Sequence, residues 1–310
     1  MSQSTTQRRA HRDPGEHAVA IAEAVDTAWN QSNHSGRRDV ALSVVAALSL
    51  ISQRDPHGPD LAEQLRAQTA EDFAGTLREI YTSVVNSRPD LTHLLYPLMH
   101  WVFDEPRPAL QRAAKHTADA ALHAGQLELT GTDNRYDTDL LGIVLTLLKS
   151  DSAGKANAQI YTPSALAETM GEVLMAELNT PRENESIMDP AVGTGGLFRA
   201  AAQVMRAKGQ DPSTVSWYGA DIDDLAIAAC AVNSLLWRLG PHMLLCVADT
   251  LTEGDWARRA EAQRTEILQL TEKIRRDKLM INAVRAAQRL TELVFDDDDP
   301  DTDDRPGDQE

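Results

Sequence analysis

Asp189-Pro190-Ala191-Val192-Gly193-Thr194-Gly195-Gly196-Leu197-Phe198 joins a short apolar strand ending at Ile187-Met188 to a helix-forming run, Arg199 to Lys208. Glycines at 193, 195 and 196 sit where strand becomes helix, so backbone can approach a ligand where a side chain would collide. The helix start that follows offers unpaired N–H groups to an anionic group. Alone, the loop indicates a nucleotide-like ligand, and a plain turn has the same composition. Its neighbours sharpen the reading. Gln159-Ile160-Tyr161-Thr162-Pro163 lies about 30 residues upstream, and Gly219-Ala220-Asp221-Ile222-Asp223 and Ala248-Asp249-Thr250-Leu251 follow in that order.

From Gln159 onward helix and short strand alternate. Helices are expected at Ser164 to Leu178, Gly196 to Lys208 and Asp224 to Leu239, with strands at Ser186 to Asp189, Val215 to Gly219 and Met243 to Val247. Such alternation implies a parallel, doubly wound sheet whose ligands sit at the carboxyl ends of the strands. Three strands are fewer than a full sheet of this kind needs, so the α/β fold is expected to be an incomplete Rossmann-like one.

The flanks differ in texture. Residues 1–15 read as a disordered leader and 16–130 as a helical domain, with breaks at Asn33 to Gly36, Asp55 to Pro59 and Ser87 to Pro89. Val40, Leu42, Val44, Val45, Leu48 and Ile51 mark a strongly apolar helix within it. The α/β domain is expected over 131–254, its polar link Thr130 to Tyr136 leading into a helix at Asp137 to Leu148. After Gly254 there is neither Gly nor Pro until Pro300, so 255–295 reads as one long helical arm or a tight pair. Ile267, Leu270, Ile274, Ile281 and Val284 hold seven-residue a and d positions, with Asp277 breaking the seam. That pattern suits equally a helix lying on its own sheet and a coiled-coil contact with another subunit or a second copy.

Composition bounds the classes. The 310 residues are 42% hydrophobic, enough for a real core, without an apolar run that suggests a membrane span or a signal peptide. Cys230 and Cys246 make neither a disulfide framework nor a metal set, so no metal is expected, and a cytoplasmic setting fits. Net charge is −17, of which −8 falls in 296–310, read as an acidic disordered tail, leaving −9 elsewhere. A chain that binds DNA unaided needs a basic face to displace counterions. This composition offers none, so any DNA is expected to be held through a partner subunit.

Each acidic site residue has a chemical reading of its own. Asp189 follows a buried strand and faces the glycine loop, where it can attract a cationic group or fix loop amides. Asp221 ends the second strand, where a nucleotide-binding fold places the acid that takes ribose hydroxyls. Ile222 is positioned to lie on an adenine face. Asp249 ends the third strand and can accept an exocyclic amine, since a buried carboxylate needs donors. For one Asp at a strand end the competing reading is a turn or helix cap, and Asp223, just before Asp224, is read that way.

Together these residues resemble the S-adenosylmethionine pocket of the adenine-N6 DNA methyltransferases, in particular the methylation subunit of type I restriction-modification systems. The resemblance is strong from about residue 137 to 251 and includes Asp139-Leu140-Leu141-Gly142. It implies that Asp189, Ala191, Gly193, Thr194 and Gly195 surround the methionine portion of S-adenosyl-L-methionine. Tyr161, Thr162 and Pro163 would contact its carboxylate end, Asp221 and Ile222 its ribose and adenine, and Asp249 with Thr250 the adenine. The implied function is DNA binding and DNA methylation within restriction-modification.

The family also carries an Asn/Asp-Pro-Pro-aromatic motif after a fourth strand. The target adenine is flipped out of the duplex, and that motif hydrogen-bonds its amine and stacks on its ring. This sequence has no Pro-Pro dipeptide. Thr252-Glu253-Gly254-Asp255-Trp256 instead runs straight into the arm, and Trp256 reads as a packing anchor rather than a stacking ring. No catalytic residue is therefore assigned. The chain reads as a cofactor-binding subunit or truncated methylase, or alternatively as a catalytically inactive regulatory or interaction protein.

Overall fold

The computed structural model describes residues 13–150 and 185–296, apart from 33, 35, 52–57 and 59. The expected leader up to residue 12, the Tyr161-Thr162-Pro163 element, the helix at 164–178 and the acidic stretch beyond Asp296 lie outside the described residues. Two compact units divide the chain after Arg264.

Among the described residues the first unit begins with eight α-helices: α1 Pro14–Asn30, α2 Arg38–Ser49, α3 Leu61–Ala67, α4 Ala70–Ser87, α5 Thr92–Phe103, α6 Pro108–His123, α7 Gln126–Thr130 and α8 Leu140–Ser150. Helix α1 reaches back into the stretch expected as leader, because the Asp13 carboxylate accepts the Glu16 N–H at 3.0 Å and Pro14 fits the first turn. Helix α2 is the centre of the bundle, buried without interruption from Val40 to Ser49. Its Ser43 keeps company with two aromatic donors. Trp101 Nε1 donates to Ser43 Oγ at 2.9 Å, and the Tyr81 hydroxyl donates to the Ser43 carbonyl at 2.8 Å. Those bonds satisfy a hydroxyl that would otherwise be costly at the centre of a core.

A three-stranded parallel sheet follows: β1 Ser186–Asp189, β2 Ser216–Asp221 and β3 Met243–Val247, in the order β1-β2-β3. Helix α9, Gly196–Ala207, connects β1 to β2, and α10, Asp224–Leu236, connects β2 to β3. Alternation along the strands sorts the residues by face. Trp217, Met243 and Leu245 point to the face that shares a core with Phe198 of α9 and Ala226 to Val232 of α10. Ala220, Leu244 and Cys246 point to the other, where Trp256 and Ala260 of the last helix cover them. Phe198 meets Trp217 edge to face, with ring centroids 5.2 Å apart.

Helix α10 packs on β2 and β3 on one side and on α2, α5 and α8 on the other. From Ala226 to Ser234 every residue is buried, which explains its run of small side chains. One hydrophobic core therefore runs from Ala18 of α1 to Leu245 of β3. Helix α11, Trp256–Asp296, is a single helix whose first turns belong to the first unit. In the second unit Leu270, Ile274 and Ile281 are exposed along it, on 55%, 45% and 51% of their surface. No described helix is long and apolar enough to cross a membrane.

Candidate functional site

The loop between β1 and α9 is held from beneath by β2. Val192 N–H donates to the Ala220 carbonyl and Gly193 N–H to Asp221 Oδ2, both at 2.9 Å. Gly193 and Gly195 have φ of +53° and +96°, the left-handed region that glycine alone enters cheaply. At Gly195 space matters as well: a Cβ would stand 3.1 Å from both Cys230 Sγ and the Trp237 ring. Gly195 is also the residue before α9, and no side chain caps that helix, so its first-turn N–H groups are left without a side-chain acceptor at the cap.

The three acids gather at the carboxyl end of the sheet. Asp189 closes β1, Asp221 closes β2, and Asp249 lies two residues past β3. Asp189 is 9% exposed and accepts the Ala191 N–H at 3.0 Å. Burial pushes its carboxyl above the usual range, the Ala191 bond opposes this, and the Asp221 charge adds to it. Asp221 holds two backbone amides, Gly193 on Oδ2 and Asp223 on Oδ1 at 3.0 Å. It fixes the loop, and a carboxylate so engaged still has lone pairs for hydroxyl donors.

Asp249 is exposed, and its carboxylate accepts the Leu251 N–H at 3.1 Å, so at present it shapes a turn. Thr250 Oγ1 donates to the Pro190 carbonyl at 3.0 Å, tying the loop after β3 to the glycine loop. Ile222 is 65% exposed beside Asp221. Asp223 caps α10 through the Leu225 N–H at 3.1 Å, as its position suggested, and forms an ion pair with Lys149 of α8. Trp256 is 5% exposed within the sheet's second core, so it is a packing anchor and offers no stacking face. Among the described residues no cluster of His, Cys, Asp and Glu is arranged to hold a metal ion.

Thr194 departs from its expected role. Its side chain is 3% exposed and turned inward, where Oγ1 donates to Asp139 Oδ2 at 2.5 Å. Asn233 of α10 donates to Asp139 Oδ1 and to the Thr194 carbonyl, each at 2.8 Å. Only the backbone of Thr194 is left for a ligand. Asp139 and Asn233 were not expected at this site; the one signal was the Asp139-Leu140-Leu141-Gly142 pattern.

Residues 137–268 match the family model described as N-6 DNA methylase. Over that segment the chain is similar to the N-6 DNA methylase family. The matched segment contains β1, β2 and β3, the glycine loop and all three acids. The chain is similar to the methylase subunit of the type I restriction enzyme MjaIX from Methanocaldococcus jannaschii, at 32% identity over 83 residues. That match covers 27% of this chain and 14% of the relative, so this chain spans a small part of the length of the curated relative it matches. Among solved structures, the methyltransferase subunit of a type I restriction-modification system from Streptococcus thermophilus matches with a TM-score of 0.47 and 17% identity. It covers 79% of this chain and 60% of that one.

Proposed function

We propose that this chain binds S-adenosyl-L-methionine and serves adenine-N6 DNA methylation within restriction-modification, as a subunit or truncated methylase in the cytoplasm. The observation that carries this reading is the glycine loop at the carboxyl end of a parallel sheet, bonded to Asp221 and flanked by Asp189 and Asp249. In this reading the sheet is one half of a doubly wound, Rossmann-like methyltransferase fold. Residues 16–130 form its helical domain, 131–254 its cofactor domain and 255–295 an arm toward a partner or a second copy. The backbone at Ala191, Gly193, Thr194 and Gly195 takes the methionine portion beside Asp189, and Tyr161, Thr162 and Pro163 take its carboxylate end. Asp221 and Ile222 meet ribose and adenine, and Asp249 and Thr250 the adenine edge.

Calorimetry with S-adenosyl-L-methionine is the direct test. Asp221→Ala removes both a ribose acceptor and the Gly193 anchor, and should weaken binding by ~1.5–3 kcal/mol, the range for charge-assisted bonds. Unchanged affinity would sink the role of Asp221.

A second reading is favoured by one observation: these 310 residues contain no Pro-Pro dipeptide, hence no Asn/Asp-Pro-Pro-aromatic set for an extruded adenine. The chain on its own is then a catalytically inactive, methyltransferase-like regulatory or interaction protein that acts with DNA through a partner subunit. Positioning of reactants can supply ~7–11 kcal/mol of barrier reduction, so lacking it is no small defect. Transfer of labelled methyl groups to mixed-sequence DNA by the purified chain should give no product. Robust adenine-N6 product would overturn this second reading.

A further inference from the structure

The junction between α8 and the glycine loop is built more tightly than a packing contact requires. Asp139 precedes α8 and accepts the Gly142 N–H at 2.9 Å, the bond of a helix cap. The same carboxylate also receives the Thr194 hydroxyl and the Asn233 carboxamide. As a whole the residue is half-buried, yet its carboxylate end is enclosed by these donors, and burial holds it above the usual carboxylate range. Gly142 completes the fit. A Cβ there would collide with the Asp139 carboxylate and stand 2.6 Å from Thr194 Oγ1, so the first turn of α8 reaches the loop only because that position has no side chain. Behind the junction, α8 is packed on α1 and α2 of the helical bundle.

From this geometry we propose that Asp139 is a positioning residue for the cofactor loop. Acting through Thr194 and Asn233, it fixes the Gly193–Gly195 backbone from the helical bundle, so that ligand affinity at the loop is set by α8. An apolar contact would serve packing alone at lower cost than an enclosed carboxylate. What the carboxylate adds is direction. It pulls the Thr194 side chain inward, and Asn233 holds the Thr194 carbonyl, which together set the peptide planes that Gly193 and Gly195 present on the ligand side. This inference rests on the cofactor reading above only for the nature of the ligand.

The experiment uses the full chain and two readouts, S-adenosyl-L-methionine affinity by calorimetry and hydrogen exchange of the Gly193 and Gly195 amides without ligand. Thr194→Val removes the hydroxyl at nearly constant volume and should weaken affinity at least ~10-fold and speed that exchange by a similar factor. Thr194→Ser restores the hydroxyl and should return both to within about twofold of the parent chain. Asp139→Asn, which keeps the size but removes the charge, should behave like Thr194→Val. Ile21→Val, a core change in α1, should lower the melting temperature without moving either readout. Parent-like behaviour of Thr194→Val, or a Thr194→Ser variant as impaired as Thr194→Val, overturns the proposal. If the parent chain binds no S-adenosyl-L-methionine, the cofactor reading fails and exchange alone decides. Faster exchange in Thr194→Val then supports the positioning role, and unchanged exchange removes it.

Discussion

Asp90 and Asp139 each join the helical bundle to the rest of the first unit, by opposite means. Asp90 is 5% exposed and gripped by Arg88 through two bonds of 2.9 Å, with Arg264 of α11 at 3.4 Å. Burial raises its carboxyl, but the two guanidinium groups more than reverse this and leave it below the usual range. Asp139 is met by a hydroxyl, a backbone amide and a carboxamide, with the charge of Arg199 a weaker contribution, and its carboxyl stays above the usual range. The contrast separates a fastening from a setting. Where a carboxylate only fastens, arginines neutralise it; beside the glycine loop, neutral donors aim it and leave the charge under-compensated.

The largest effect that can break this comparison is at Asp90. Arg88→Ala strips its bidentate partner and should lower unfolding free energy in urea by about 3–5 kcal/mol, as when one member of a buried pair is removed. Arg264 remains, so the lower end is expected, and a loss under about 1 kcal/mol would mean that Arg264 suffices. Next comes Gly142→Ala. It crowds the Asp139 junction and should cost about 1–3 kcal/mol, the range for overpacking. A neutral result in the same urea titration would show that α8 can step back from the loop.

The smallest effect is also the sharpest, because the two sites should respond to pH with opposite signs. A carboxyl lowered on folding contributes stability that is present above its unfolded value and lost as pH falls through its folded value. A carboxyl raised on folding favours the folded state below its unfolded value, and that contribution is lost as pH rises through the folded value. Melting temperatures of the parent chain, Asp90→Asn and Asp139→Asn should be compared from pH 7 downward. The parent should lose ground to Asp90→Asn on acidification and gain ground on Asp139→Asn. Equal slopes would erase the distinction between the two junctions.

What sequence reveals here follows the range of the interaction. The loop, the strands and the Asp223 cap are local patterns; β1, β3 and the cap stand where their spacing put them, while β2 runs from Ser216 to Asp221 against an expected Val215 to Gly219. The Asp139–Asn233 bond spans 94 residues and has no local trace. Thr194 sits in the glycine loop by position, yet its side chain is turned toward Asp139, which only the fold brings near. The arm was legible as helical, one long helix or a tight pair, but not that Trp256 and Ala260 of its first turns would close the second face of the sheet. Nor did the alanines of α10 disclose that bundle and sheet would press on it from two sides.

The position of α10 bears on modularity. A segment that matches one family usually invites transplantation, and 137–268 has the outline of a cassette. Yet the outer wall of α10 is furnished by α2 and α5, both upstream of that outline. Excising the cassette would leave the apolar helix bare to water, with an exposed patch of the kind that promotes aggregation. A chimera that borrows this segment must therefore carry α2 and α5 with it, or redesign the outer surface of α10 as a solvent face.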